Sequence, residues 1–288
     1  MMTPPSRSLA EAGAVDAHFH IWRLSRGDYG WLTPTLGDIY RDVEVADWRA
    51  LAAPLGIGGG VLVQAAPTAA ETEFLLQQAD ATPAVLGVVG WVDWLAPDVR
   101  RHIAALVERP KLKGLRPMLQ DIASPDWVLQ PGLAPALQAM ADHSLAFDAL
   151  VRPLHLPRIV ELARRFPGLR IVIDHGAKPD ISGDHWQPWA DQLRRVAQET
   201  SAVCKWSGLL TEAGARAEPS MLTRWERHLF ECFGPDRLLW GSDWPVLELA
   251  GDYAVWWQHG LRQAQAAGLD AVQQRAVFGG NARRIYRL

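Results

Sequence analysis

VDAHFH at positions 15–20 is the stretch that decides how the chain is read. Val15 to Phe19 has the character of a buried strand, and the two-residue period of a strand puts His18 and His20 on one face while Phe19 points to the other. Two imidazoles therefore leave one strand side by side. Near the other terminus, LLWGSDWPV (238–246) is a second apolar strand that runs into Gly241, Ser242 and Asp243, so a carboxylate is offered from a strand end as well. Two histidines and an acid at carboxyl ends of strands are the parts needed to bind a metal ion or to move protons around a hydrolytic water.

Between these two strands the pattern alternates. GGGVLVQ (58–64), AVLGVVGWV (84–92), KLKGLR (111–116), LAFDALV (145–151), LRIVID (169–174) and AVCKWSG (202–208) read as buried strands. Helical stretches separate them at Ala69 to Ala81, with Thr68 as cap, Pro97 to Glu108, Pro135 to His143, His155 to Phe166, Trp186 to Thr200 and Ser220 to Phe233. Another helix is expected over Asp47 to Leu55. Strict strand and helix alternation implies parallel neighbours. Eight such units over 288 residues predict one (β/α)8 (TIM) barrel, with Tyr253 to Ala267 and Ala271 to Tyr286 as extra C-terminal helices. The expectation is a single domain over 1–288, with residues 1–13 as a flexible tail. GIGGG (56–60) precedes its strand and is a helix-ending turn, not a phosphate cradle. The polar connection from Trp22 to Val45 is far longer than a usual loop and carries Trp22, Tyr29, Trp31 and Tyr40, which suits a lid over the histidine pair.

Composition narrows the partner. A hydrophobic content of 49% supports a large core, while a net charge of -3 and a pI near 6.3 give no basic face for nucleic acid or acidic lipid. A small molecule is the expected partner, and a homo-oligomer is left open. Two cysteines form no disulfide framework, and the first residues carry Pro4, Pro5 and Glu11 without an apolar run, so a reducing, cytoplasmic setting is expected. No apolar run reaches membrane-spanning length. The 14 tryptophans suit core filling, with some available to stack on the apolar face of a sugar.

In a barrel of this kind the active side chains hang from carboxyl ends of strands. Reading those ends gives His18 and His20, Gln64, Trp91 and Asp93, Arg116, Asp148 and Arg152, Asp174 and His175, Lys205 and Ser207, and Asp243. A structural barrel would carry one or two such groups as satisfied hydrogen bonders, not a whole ring. VDAHFH, VIDHGAKP (172–179), KWSGLLTEA (205–213) and WGSDWPV (240–246), in this order, resemble the sugar-lactonase branch of the amidohydrolase superfamily. GDYGWL (27–32), KGLRPMLQD (113–121) and FDALVRPLHLP (147–157) extend the resemblance over nearly the whole chain.

The resemblance implies hydrolysis of sugar or pyrone-type lactones, and the pattern fits L-fucono- and L-rhamnono-lactone best. It implies catalytic roles for Asp243, His175, His18 and His20, with Asp243 as general base on water. It also implies a single zinc site on His18, His20, Asp243 and His175, with the metal dispensable in some members and no organic cofactor. Two-metal members use further strand histidines that this chain lacks. Arg116, Arg152, Gln64, Trp22, Lys205 and Trp31 are the expected sugar contacts. A metal-dependent decarboxylase of an aromatic or muconate-like acid on the same scaffold, and a non-catalytic sugar-binding barrel, stand as the alternative readings.

Overall fold

Eight strands form in chain order: β1 (Ala14–Phe19), β2 (Ile57–Val63), β3 (Val85–Gly90), β4 (Leu112–Leu115), β5 (Ala146–Ala149), β6 (Arg170–Ile173), β7 (Val203–Trp206) and β8 (Leu238–Trp240). In this computed structural model, which describes residues 13–214 and 217–288, each strand pairs in parallel with the next, in the order β1 to β8. The expected tail at 1–13 falls, apart from Gly13, outside the described residues. The seam between β1 and β8 is joined at its carboxyl end. There the Asp243 amide donates to the His18 carbonyl (2.8 Å), and the His20 amide donates to the Trp244 carbonyl (2.7 Å). The architecture is the expected (β/α)8 barrel.

Helices α1 (Val45–Ala52), α2 (Ala69–Ala81), α3 (Val99–Val107), α4 (Ala134–Asp142), α5 (Leu156–Arg165) and α6 (Trp189–Glu199) follow β1 to β6 in turn. The short α7 (Leu209–Glu212) and then α8 (Thr223–Phe233) lie between β7 and β8, with α9 (Tyr253–Ala266) after β8. Helix α2 begins where the sequence places it, because the Thr68 hydroxyl accepts the Glu71 amide at 3.0 Å. Two apolar layers hold the barrel. Val15, Ala17, Val61, Val63, Val89, Val172 and Leu239 pack together in its interior, while Phe19, Trp48, Trp206 and Trp240 belong to the larger layer between strands and helices. Among the described residues no helix is long and apolar enough to cross a membrane.

The expected helix from Ala271 to Tyr286 is broken. It forms α10 (Ala271–Arg275) and α11 (Asn281–Tyr286) on either side of a distorted turn at Phe278 and Gly279. The reason is contact with the foot of the barrel, since a Cβ on Gly279 would lie 3.1 Å from the Val15 amide nitrogen. The break lets Tyr286 enter the interior from below, where its hydroxyl donates to Asp148 at 2.8 Å. The Trp22–Val45 connection is also ordered locally. It makes two 3-10 turns, Leu24–Arg26 and Pro34–Ile39, and its ends are pinned by an antiparallel bridge between Trp22 and Val43.

Candidate active site

Strand β1 does not alternate strictly. Its register against β2 shifts between Asp16 and Phe19, so Ala17 joins the barrel interior while Asp16 turns outward to the helices. There the Asp16 carboxylate accepts from Trp48 Nε1 (3.0 Å), Tyr253 OH (2.9 Å), the Ser242 amide (2.8 Å) and Ser242 Oγ (2.6 Å). Asp16 thereby clips the turn after β8 onto β1 and sets Asp243 beside the two histidines. Past the shift, His18 and His20 return to the inner face, as strand periodicity implies. Their Nε2 atoms lie 3.1 Å apart.

Asp243 Oδ1 is the centre of the arrangement. It stands 3.3 Å from His20 Nε2, 3.6 Å from His18 Nε2 and 3.7 Å from His175 Nε2. Both Asp243 (φ 59°) and His175 (φ 53°) adopt left-handed backbone, which non-glycine residues rarely hold unless the surrounding structure imposes it. Gly208 makes room for the His175 ring, because a Cβ there would approach Nδ1 to 2.6 Å; Ser207 Oγ bonds that same Nδ1 at 2.9 Å. Burial alone would push the Asp243 carboxyl up, yet His175, His20 and His18 together hold it below the ordinary carboxylate range. Burial pushes His175 down to about 4. It also lowers His18 well below the ordinary imidazole range, with help from the cationic Lys205. At neutral pH the site therefore holds a carboxylate base next to neutral imidazoles, which is the ionisation a water-activating centre needs.

A cavity of about 340 Å³ opens over these groups, and His20, His175, Asp243, Arg116 and Trp31 line it. Four expected sugar contacts are placed elsewhere. Lys205 is fully buried beneath the site between Asp148 and His18. Gln64 is also fully buried; its backbone carbonyl accepts a close contact from Arg116 Nη2, and its Nε2 donates to the Arg116 carbonyl at 3.0 Å. Trp22 is buried with its Nε1 donating to the Arg41 carbonyl (2.8 Å). The Arg152 side chain is exposed outside the cavity wall. Each lies within a few residues of a strand end, but a side chain one layer too deep or one turn too far out is not presented to a ligand. His18 is likewise fully buried, and it stands behind His20 rather than on the cavity surface.

The cavity wall includes groups the sequence reading passed over, among them Met118, Gln120, Thr211 and Glu212; Lys178, which the sequence offers as a carboxylate partner in the decarboxylase alternative, also lines it and is paired to Glu212 at 2.6 Å. The available signal was position: Met118 and Gln120 follow β4, Lys178 follows β6, and Thr211 and Glu212 follow β7. Trp31, by contrast, lies on the wall as expected, 37% exposed, its Nε1 donating to the Ala65 carbonyl at 2.8 Å.

Ligand atoms of His18, His175 and Asp243 lie within 4.8 Å of one another, close enough to meet one metal ion. Spacing alone is favourable, since donors on a tetrahedral zinc stand about 3.3 Å apart. The proton positions are not. His18 Nδ1 faces the Lys205 ammonium at 3.0 Å, and an ammonium has only hydrogens to offer, so ligation through Nε2 would leave the Nδ1 hydrogen directed at another donor. The donor spacing therefore suits a cation, while the Lys205 contact opposes the His18 tautomer that would bind it.

Comparison with known proteins agrees with this architecture. A family model described as amidohydrolase matches residues 15–288. An L-fucono-1,5-lactonase of Burkholderia ambifaria is 44% identical over 279 residues, covering 95% of each chain. An L-fucono-1,5-lactonase of Burkholderia multivorans is 33% identical over 291 residues, covering 95% of this chain and 96% of that one. The crystal structure of an amidohydrolase from Burkholderia multivorans with bound zinc superposes with a TM-score of 0.90 at 32% identity, over 96% of this chain and 99% of that one. With the match running from the first strand to the last residue, the chain belongs to the amidohydrolase family.

Proposed function

We propose that the protein hydrolyses a sugar lactone, of the L-fucono-1,5-lactone class, to the open aldonic acid. The observation that carries this reading is the convergence of an anionic Asp243, a neutral His175, the His20 imidazole and the guanidinium of Arg116 on one cavity large enough for a six-carbon sugar lactone. The 44% identity to an L-fucono-1,5-lactonase supports the choice of substrate class.

Asp243 Oδ1 takes a proton from a water held against it, and the resulting hydroxide adds to the lactone carbonyl. Negative charge then builds on the carbonyl oxygen. Arg116 and a His175 Nε2 proton stabilise that charge more than they stabilise the neutral ester, which lowers the barrier. The ring C–O bond breaks as Asp243 returns its proton to the departing ring oxygen, leaving a carboxylic acid that ionises. His20 borders the water, and His18 supports His20 from behind. No step is routed through a metal ion, because the Lys205 ammonium opposes the His18 tautomer that ligation needs. Zinc bound under other conditions would supply Lewis acidity at the carbonyl.

Trp31, Met118 and Gln120 would meet the sugar ring and its hydroxyls. Such a substrate places the reaction in carbohydrate catabolism, and the free Cys204 and Cys232 suit a cytoplasmic setting. A panel of aldonolactones followed with a pH indicator tests the reading, with as-purified and chelator-treated protein compared and metal content measured alongside. Acid release from a six-carbon aldonolactone is the expected result. Failure to open any of them, or release of carbon dioxide from an aromatic acid instead, would overturn it.

A further inference from the structure

Beneath the cavity lies a dry layer of charge, of which Arg116 alone reaches the cavity wall. Arg116, Asp148, Asp174 and Lys205 are at most 2% exposed. Lys205 Nζ meets Asp148 Oδ2 at 2.5 Å, Asp174 Oδ1 at 3.0 Å and His18 Nδ1 at 3.0 Å. A lysine ammonium has three donors and no acceptor, and here three acceptors surround it. The Asp174 contact is an ion pair without hydrogen-bond alignment, whereas the contacts to Asp148 and His18 are hydrogen bonds.

Two competing contacts would favour the other state of the ring. Asp174 Oδ1 could accept a proton from His18 Nδ1, but at 3.6 Å it is too far for a hydrogen bond. Arg116 Nη1 also approaches His18 Nε2, but at 3.5 Å this contact is half an ångström longer than the one from Lys205, and the shorter bond of Nη1 goes to Asp174 at 3.1 Å. A neutral imidazole has one acceptor nitrogen, and the 3.0 Å contact from Lys205 claims it. His20 is consistent with this state. Its Nδ1 donates to the Val63 carbonyl at 2.7 Å, so its Nε2 carries a lone pair and receives the His18 Nε2 proton across 3.1 Å.

We infer that Lys205 is a positioning residue that locks His18 in the Nε2–H tautomer, so that His18 donates a hydrogen bond toward His20 and is withheld from metal ligation. One proton then occupies each link from Lys205 through His18 and His20 to Val63. The lone pairs of Asp243 are left for the water. The inference refines the lactonase reading above, which it assumes for its catalytic meaning, but the tautomer itself is a property of the resting protein.

The first test therefore needs no turnover. Long-range proton–nitrogen correlation spectra of histidine-labelled protein, with His18 assigned through His18→Gln, should show an unprotonated Nδ1 and a protonated Nε2. A His18 signal protonated at Nδ1 would overturn the inference even if lactone hydrolysis were proven. Conversely, the expected tautomer in a protein that opens no lactone would sink the function and leave the lock standing. The second test is a gain: Lys205→Met frees Nδ1 to hold the proton and should bind zinc about tenfold or more tighter than wild type in a chelator competition, while Lys205→Arg, which keeps a donor, should not. Unchanged zinc affinity in a folded Lys205→Met protein would overturn the inference. Should that variant not fold, the wild-type spectrum decides alone.

Discussion

The floor of the site and its cover are both polar, yet they are built on opposite terms. The floor is Arg116, Asp148, Asp174 and Lys205, all dry and each bonded to at least one other member or to a site histidine. The cover is the connection after β1, which meets the barrel through a few ties. Tyr29 OH donates to Glu71 Oε2 (2.7 Å), Arg26 pairs with Asp28 (2.6 Å) and Glu71 (3.3 Å), and Thr68 Oγ1 donates to Asp28 (2.7 Å). Charges in a dry layer fix protons and rotamers because any vacancy is costly, whereas the cover is tied through one buried acid, Glu71, and through Arg26 and Asp28, which reach solvent. The comparison teaches that floor residues govern chemistry and folding together, and cover residues govern access.

The largest effect is expected where the two meet. Asp243→Asn keeps the shape, and asparagine tolerates the left-handed backbone at this position, so the variant should fold normally while kcat falls by about a thousandfold or more. Steady-state rates beside a circular dichroism spectrum check it, and wild-type turnover would remove Asp243 from the mechanism. In the floor, Arg116→Met leaves Asp174 buried without its guanidinium and should cost about 3 kcal/mol of stability, read from urea unfolding. A loss under about 1 kcal/mol would mean that Lys205 alone compensates Asp174 and that the layer is less tightly coupled than described.

The cover should respond to pH. Burial pushes the Glu71 carboxyl up to about 7, against the opposing contacts from Tyr29, Ala65 and Arg26. An acid whose folded pKa is raised binds more protons folded than unfolded, so stability is greatest below the unfolded value of 4.5 and falls as pH rises through about 7. The loss approaches on the order of 3 kcal/mol for a shift of this size. Urea midpoints measured across that window should converge for wild type and Glu71→Gln at low pH and diverge at high pH, with wild type the less stable. Parallel curves would show that Glu71 does not titrate there. The smallest effect is expected from Trp31→Ala, which removes a wall of the cavity while leaving Asp243 and its histidines in place. KM should rise about tenfold with kcat nearly unchanged, and a kcat loss larger than the KM change would break the division between floor and cover.

Much of this was legible beforehand. Helix α2 and its Thr68 cap follow from local chemistry, and the β-branched strands follow from composition. The meeting of His18, His20, His175 and Asp243 follows from strand ends in a parallel barrel. Other features were hidden for particular reasons. Asp16 shares the parity of His18 along β1, and only the register shift, which is set by pairing with β2, sends it outward to Trp48 and Tyr253. Lys205 and Gln64 sit on strand ends like true ligand contacts, but how deep a long side chain reaches depends on which acceptors lie below it. The break at Gly279 answers to Val15, more than two hundred residues away in the chain.

The sequence by itself determined the alternation of strands and helices, hence the barrel and the set of residues at its mouth, because periodicity and capping are local interactions that neighbours along the chain specify. Only the tertiary structure decided which of those residues face the cavity, which lie in the dry layer beneath it, and which nitrogen of His18 holds the proton. Those outcomes depend on contacts of 3 to 4 Å between strands remote in sequence, where a difference of half an ångström chooses between Lys205 and Asp174 as the partner of one imidazole.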